Sequence, residues 1–261
     1  LKSPLSSVTI PLNIYGAIKM LSFIIPAHNE EAYLNKTIAA IHSSALACGE
    51  EYEILVVDDA STDGTKGVAE TAGAVVIQVT HRKIAATRNS GAKAAKGDIF
   101  FFIDADTCIN QACLKESLEA VKAGAVGGGC HFNYDAKLPL WARVLHPMGL
   151  FFGRIFKLVG GCCIFVTRKA FDKIGGFPEE YYAAEDVAFS SALGKIGLFV
   201  IPKARVRTSA RKIWTMKLGQ TIWLLIKLVF AGPNGFRSKK GLDLWYGKRP
   251  DDPVYQQLPK N

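Results

Sequence analysis

Three apolar runs in the first half of the chain each drive straight into polar residues: LSFIIP into AHNEE, EILVV into DDAS, and IFFFI into DADT. The last is the sharpest, because Asp104 and Asp106 place like charges one residue apart at the end of Ile99–Ile103. Helical stretches separate the runs. Leu34, Ile38 and Ile41 recur at helical spacing within Glu30–His42, and further helices are expected over Lys66–Ala72, over Ala-rich Ile84–Lys96 with Gly97 as its stop, and over Gln111–Lys122. Strands are expected at Leu21–Ile25, Tyr52–Val57, Ala74–Val79 and Ile99–Ile103. Short β-branched and aromatic strands alternating with helices predict βαβ units. The fold class is therefore α/β, with a mostly parallel central sheet covered by helices on both faces.

In open sheets of this kind a ligand binds beyond the carboxyl ends of the strands. A parallel strand is apolar along its length and polar only where it leaves the sheet. Pro26–Glu31, Asp58–Ser61 and Asp104–Asp106 sit at three such exits. Any one of them alone reads equally well as a helix cap or a solvated turn; three at one edge point to a site. Two carboxylates at i and i+2 repel and call for a cation. Hard divalent ions such as Mg²⁺ or Mn²⁺ take oxygen ligands and share them with substrate phosphates. Such a pair beside a nucleotide pocket suits a metal–diphosphate unit, although acid-x-acid spacing is common in loops.

Four blocks in order carry a resemblance: LSFIIPAHNEEAYLNKTIAAI, EILVVDDASTDGT, ATRNSGAKAAKGDIFFFIDADT and GGCCIFVTRKAFDKIGGFPEEYYAAEDVAF. From about Leu21 to Arg211 the chain resembles family 2 glycosyltransferases of the GT-A type, whose sheet is Rossmann-like. The resemblance implies a nucleotide-diphospho-sugar donor, a divalent metal (Mn²⁺ or Mg²⁺) and a hexosyltransferase reaction that inverts the anomeric carbon. It implies that Pro26, Ala27, Asn29 and Glu30 line the nucleoside pocket and that Asp59 accepts a hydrogen bond from the base. Lys83 takes the basic position near base and phosphates, with Arg88 as a second candidate. Asp104 faces the ribose or the metal, and Asp106, the last acid of the DXD motif, is the metal ligand. Asp186 matches the catalytic base, with Glu185 beside it at the acceptor site. Adjacent acids at a helix start also satisfy free N–H groups and the helix dipole, so this pair has a purely structural reading too.

The formal charge is +9, which suggests an anionic partner. No Asp or Glu occurs between Asp135 and Asp172 or between Asp186 and Asp243, while Trp, Phe and Leu mix there with Arg143, Arg154, Lys157, Lys217 and Lys227. The apolar run Ile213–Phe230 is interrupted by lysines and falls short of the ~20 residues that cross a bilayer. Such helices lie in an anionic membrane interface, or else pack with solvated basic edges. The first reading suits a saccharide acceptor carried on a lipid and a peripheral enzyme on the cytoplasmic face. No helix-turn-helix, zinc finger or ribonucleoprotein signature supports a nucleic-acid partner. A receiver domain would place its acidic pair after the first strand, and a nucleotidyltransferase would show a Gly-rich basic loop there. An inactive relative that binds glycans or nucleotide sugars at the membrane is the remaining alternative. The six cysteines lack C-x-x-C spacing and read as reduced thiols. Residues 1–19 read as an N-terminal extension or leader, 20–212 as the glycosyltransferase domain and 213–261 as an amphipathic, basic C-terminal helical segment and tail.

Overall fold

The computed structural model describes residues 18–215, 218–239 and 242. The expectations for residues 1–17, for Lys217 and for the tail from Asp243 lie outside the described residues.

The chain alternates from its first described strand. Strand β1 (Leu21–Ala27) leads to α1 (Glu31–Cys48), β2 (Tyr52–Asp59) to α2 (Thr65–Thr71), and β3 (Val75–Val79) to α3 (Ile84–Ala94). Strand β4 (Ile99–Ile103) continues into a short β5 (Thr107–Cys108), then α4 (Gln111–Lys122). Next come β6 (Ala125–Gly129), β7 (His131–Tyr134) and α5 (Leu140–Phe156). Strand β8 (Cys163–Thr167) is followed by α6 (Arg168–Ile174), α7 (Glu185–Ile196), β9 (Leu198–Val200) and β10 (Arg205–Thr208). Helices α8 (Arg211–Thr215) and α9 (Leu218–Ala231) and a 3₁₀ turn (Gly232–Phe236) follow, so α8 runs across the expected boundary at 212/213.

A seven-stranded sheet has the order β3-β2-β1-β4-β8-β6-β9. Its half from β3 to β4 is parallel, whereas β8 runs antiparallel to both of its neighbours. The sheet is thus mixed, with parallel pairings in the majority. A second sheet, β5-β10-β7, stands beyond the end of β4. Side chains of β4 alternate between two cores. Ile99, Phe101 and Ile103 pack with Leu34, Ile38 and Ile41 of α1 and Leu114 and Leu118 of α4. Phe100 and Phe102 face the other way, into Phe171, Phe177 and Phe189. Burial on both faces explains why the strand is apolar at every position.

One local expectation changes. Helix α3 ends at Ala94, with Ala95 extended, so Gly97 does not terminate it. A Cβ on Gly97 would fall 2.7 Å from the backbone nitrogen of Ser22, so this glycine lets the chain cross closely over the start of β1. Just upstream, Lys19 N donates to Asp98 Oδ2 at 2.9 Å, which ties the end of the expected leader to the sheet. All six cysteines are free. No helix among the described residues is long and apolar enough to cross a membrane.

Candidate active site

The exits of β1, β2 and β4 meet the start of α3 and the start of α8 around one pocket. Its wall includes Pro26, Ala27, Glu30, Asp59, Lys83, Asp104, Asp106 and Arg211. Seven of these eight residues were expected at the donor site; Arg211 was not.

Each side chain is placed by a local requirement. The residue at the start of α3, Lys83, offers no side-chain cap. Asp59 supplies the acceptor instead: its carboxylate takes Arg82 N at 2.9 Å, Lys83 N at 3.3 Å and Thr87 Oγ1 at 2.9 Å. That carboxylate therefore fixes the loop that carries Lys83, whose ammonium lies 4.2 Å from the centroid of the Tyr182 ring. Asn29 adopts a left-handed conformation and turns its amide oxygen away to accept from Thr62 N at 2.8 Å. It braces β1 against the turn after β2 and does not line the pocket.

Asp104 and Asp106 leave β4 in a loop held from both sides. Ala105 O accepts from Thr37 Oγ1 at 2.8 Å, and Asp106 O accepts from Ser209 N at 3.1 Å. The carboxylates point to different cations. Asp106 Oδ2 accepts from Arg211 Nε at 3.0 Å and lies 2.8 Å from Arg211 Nη2, which also reaches Glu30 Oε2 at 2.7 Å. Asp104 Oδ1 accepts from Arg88 Nη2 at 3.0 Å.

Arg88 does not line the pocket. Its side chain is 1% exposed, and the guanidinium donates to Asp104, to Glu185 Oε1 at 2.9 Å and to Gly161 O at 2.8 Å. It therefore joins the end of β4 to the start of α7. Asp186 lies just past Gly161, where a Cβ would come within 3.0 Å of both Arg88 Nη2 and Asp186 Oδ2. Only bare backbone fits there. Asp186 Oδ1 accepts from Val187 N at 2.8 Å, so one oxygen serves the helix start and Oδ2 faces Gly161.

Burial pushes the Glu185 carboxyl up to about 7, helped by the Asp186 charge and opposed by Arg88. Burial also raises Asp186, again against the pull of Arg88. The pair thus holds a proton far more readily than free carboxylates do.

No group of three or more His, Cys, Asp or Glu among the described residues is placed to hold a metal. Two hard carboxylates on a pocket wall still fit Mg²⁺ or Mn²⁺, which bind through one or two carboxylates and complete their shell with phosphate oxygens and water. Asp104 and Asp106 are the residues that would hold such an ion.

Comparison with known proteins agrees with this architecture. The chain matches the Glycosyl transferase family 2 model over residues 22–175, more than half of its length, and belongs to that family. It is 25% identical over 187 residues to the glycosyltransferase AglE of Haloferax volcanii, covering 66% of this chain and 60% of that protein. It is 25% identical over 201 residues to the dolichol-phosphate mannosyltransferase of Pyrococcus furiosus, covering 74% of this chain and 54% of that protein. The chain thus spans little more than half the length of these relatives. Its fold is GT-A-like. The structure of the Pyrobaculum calidifontis mannosyltransferase PcManGT, solved with GDP-Man and Mn²⁺, superposes with a TM-score of 0.62 at 19% identity, covering 95% of this chain and 72% of that one.

Arg88 gives the site a distinctive pH signature. Removing one partner of a buried ion pair leaves uncompensated charge and costs about 3–5 kcal/mol. In Arg88→Met the Glu185 and Asp186 carboxyls lose the cation that lowers them, so their folded pKa rises further. Stability from a raised carboxyl is present at low pH and lost as pH rises through the folded value. The deficit of Arg88→Met in urea unfolding is therefore expected to be smaller at pH 5.5 than at pH 8. An equal deficit at both would contradict the assignment.

Proposed function

We propose that this member of glycosyl transferase family 2 is a metal-dependent, inverting enzyme that moves a sugar from a nucleotide-diphospho-sugar to an acceptor hydroxyl or phosphate. The observation that carries the reading is the meeting of three strand exits at one pocket, with Arg88 tying Asp104 there to Glu185, the neighbour of Asp186. Pro26, Ala27 and Asp59 form the nucleoside end, with Lys83 facing base and phosphates. Asp104 and Asp106 face the diphosphate. They would hold a divalent ion, which would supply positive charge to the departing diphosphate. Asp186 Oδ2 takes the acceptor proton while the acceptor oxygen attacks the anomeric carbon from the side opposite the leaving diphosphate. The electron pair of the broken bond leaves with the diphosphate, and the configuration inverts. Glu185 keeps Arg88 in place beside this base.

A specific observation favours a lipid-linked acceptor. Leu140, Val144, Met148, Phe151 and Ile155 recur along one face of α5 and stay exposed, Leu140 at 77% and Phe151 at 63%. Leu218, Ile222, Leu225, Ile226 and Phe230 do the same on α9, Phe230 at 86%. Packing among the described residues does not cover these side chains. Exposed Arg143 and Lys157 flank the first stripe, and Lys227 lies 4.8 Å from the ring centroid of Trp223 on the second. Apolar stripes with only positive charge beside them suit insertion into an anionic leaflet at headgroup depth. This surface supports the reading of the enzyme as a peripheral membrane protein. The dolichol-phosphate mannosyltransferase among its relatives has a name consistent with such an acceptor.

Asp186→Asn is expected to lower transfer by ~10²–10⁴ while donor affinity stays within about threefold. Because burial raises Asp186, the acid limb of the wild-type rate profile should lie above the usual carboxylate value of about 4. Nucleoside diphosphate release and the anomeric configuration of the product check both. Equal loss of donor binding and transfer, or retention at the anomeric carbon, would overturn the base assignment.

Membrane contact has its own check. The protein should sediment with liposomes in proportion to anionic lipid content and be released by salt. Phe151→Glu with Phe230→Glu should abolish sedimentation while leaving nucleoside diphosphate binding unchanged. A protein that stays in the supernatant with anionic liposomes at low salt would overturn the lipid-surface reading.

A further inference from the structure

Arg211 belongs to the helix that follows β10, yet its guanidinium reaches into the donor pocket. There it satisfies Asp106 and Glu30 together and lies 4.4 Å from the centroid of the Tyr33 ring. Both carboxylates are nearly buried, and Arg211 itself is 11% exposed. Two like charges held close together there call for a counter-charge. Arg211 supplies it, through two nitrogens on the single oxygen Asp106 Oδ2.

Asp106 is also the residue proposed to hold a divalent ion. A metal and a guanidinium sharing one carboxylate would repel strongly. The backbone around Arg211 is anchored: Ser209 N donates to Asp106 O, Ala210 N to Asp135 Oδ1 and Arg211 N to Ser209 Oγ. The side chain is therefore the part that can move. We infer that Arg211 is a donor-binding residue that exchanges partners. It is the resident cation of the Asp106–Glu30 face; the divalent ion displaces it, and the diphosphate that arrives with the ion becomes its new acceptor. The planar fork that now grips two carboxylates matches phosphate oxygens equally well. Lys212, also on the pocket wall, adds charge to the same side. The inference rests on the reading of Asp106 as a metal ligand.

The exchange predicts shifts of opposite sign. Without Arg211 the metal no longer competes with that guanidinium, so Arg211→Met should bind Mn²⁺ alone more tightly, by roughly tenfold, the scale of one charged hydrogen bond. With Mn²⁺ saturating, the same variant should bind UDP or GDP more weakly by a similar factor. Arg211→Lys keeps a cation against Tyr33 but cannot bridge both carboxylates, and should show both shifts in smaller measure. It decides the matter if Arg211→Met does not fold, as circular dichroism would reveal. Mn²⁺ binding is read by electron paramagnetic resonance and nucleotide binding by calorimetry. Unchanged affinities, or shifts in the same direction, would overturn the exchange while loss of Mn²⁺ binding in Asp106→Asn leaves the metal site standing. If Asp106→Asn binds Mn²⁺ as wild type does, the metal reading falls, and this inference with it.

Discussion

A guanidinium sealed from solvent must find its counter-charge inside the protein, and Arg88 finds it in two places that the chain reaches separately. Asp104 follows directly on the end of β4, and Glu185 opens the first turn of α7. The buried guanidinium would not be tolerated without them, and the buried Glu185 carboxylate would not be tolerated without the cation. Gly161 supplies the third acceptor and, lacking a Cβ, lets Asp186 close up behind it. One side chain thus fixes the distance between the edge where a diphosphate would sit and the acid proposed to take a proton. It also explains the protonation of the pair. Burial lifts both carboxyls, and Arg88 limits how far.

Arg88 and Arg211 divide the cation requirement of this edge. Arg88 is sunk below it, held by three partners and flanked by Phe177, and has no room to leave. Arg211 sits on the wall above, contributed by a later part of the chain. The small sheet delivers it: β10 pairs with β5 directly after the Asp104–Asp106 loop, so the residues following β10 must pass beside Asp106. The pocket wall is thereby built from segments far apart in the sequence.

The architecture was legible because the physics is local. Strand β4 ends where its apolar run ends, α4 spans the expected Gln111–Lys122, and acids appear where strands leave the sheet. The antiparallel β8 was not legible, since CCIFVT is apolar whichever way it runs. Gly97 misled because a glycine after an Ala-rich run reads as a helix stop, whereas here it makes room for a crossing backbone. Arg211 was invisible for a different reason. Its partners Asp106 and Glu30 lie 105 and 181 residues away, and no periodicity connects them. An isolated basic residue in an acid-free stretch looks like a solvated charge. Arg88 was expected as a second candidate for the basic position near base and phosphates, but only its burial shows that it faces inward.

The central claim is that one sheet edge holds a metal–diphosphate unit between Asp104 and Asp106, with Asp186 behind it. The most direct measurement is a crystal structure of the protein with Mn²⁺ and a nucleoside diphosphate, using the anomalous signal of manganese to locate the ion. The account predicts one strong peak bridging these carboxylates and the diphosphate, with Arg88 still between Asp104 and Glu185. Manganese or nucleotide bound elsewhere, with Asp104 and Asp106 contacting neither, would contradict it.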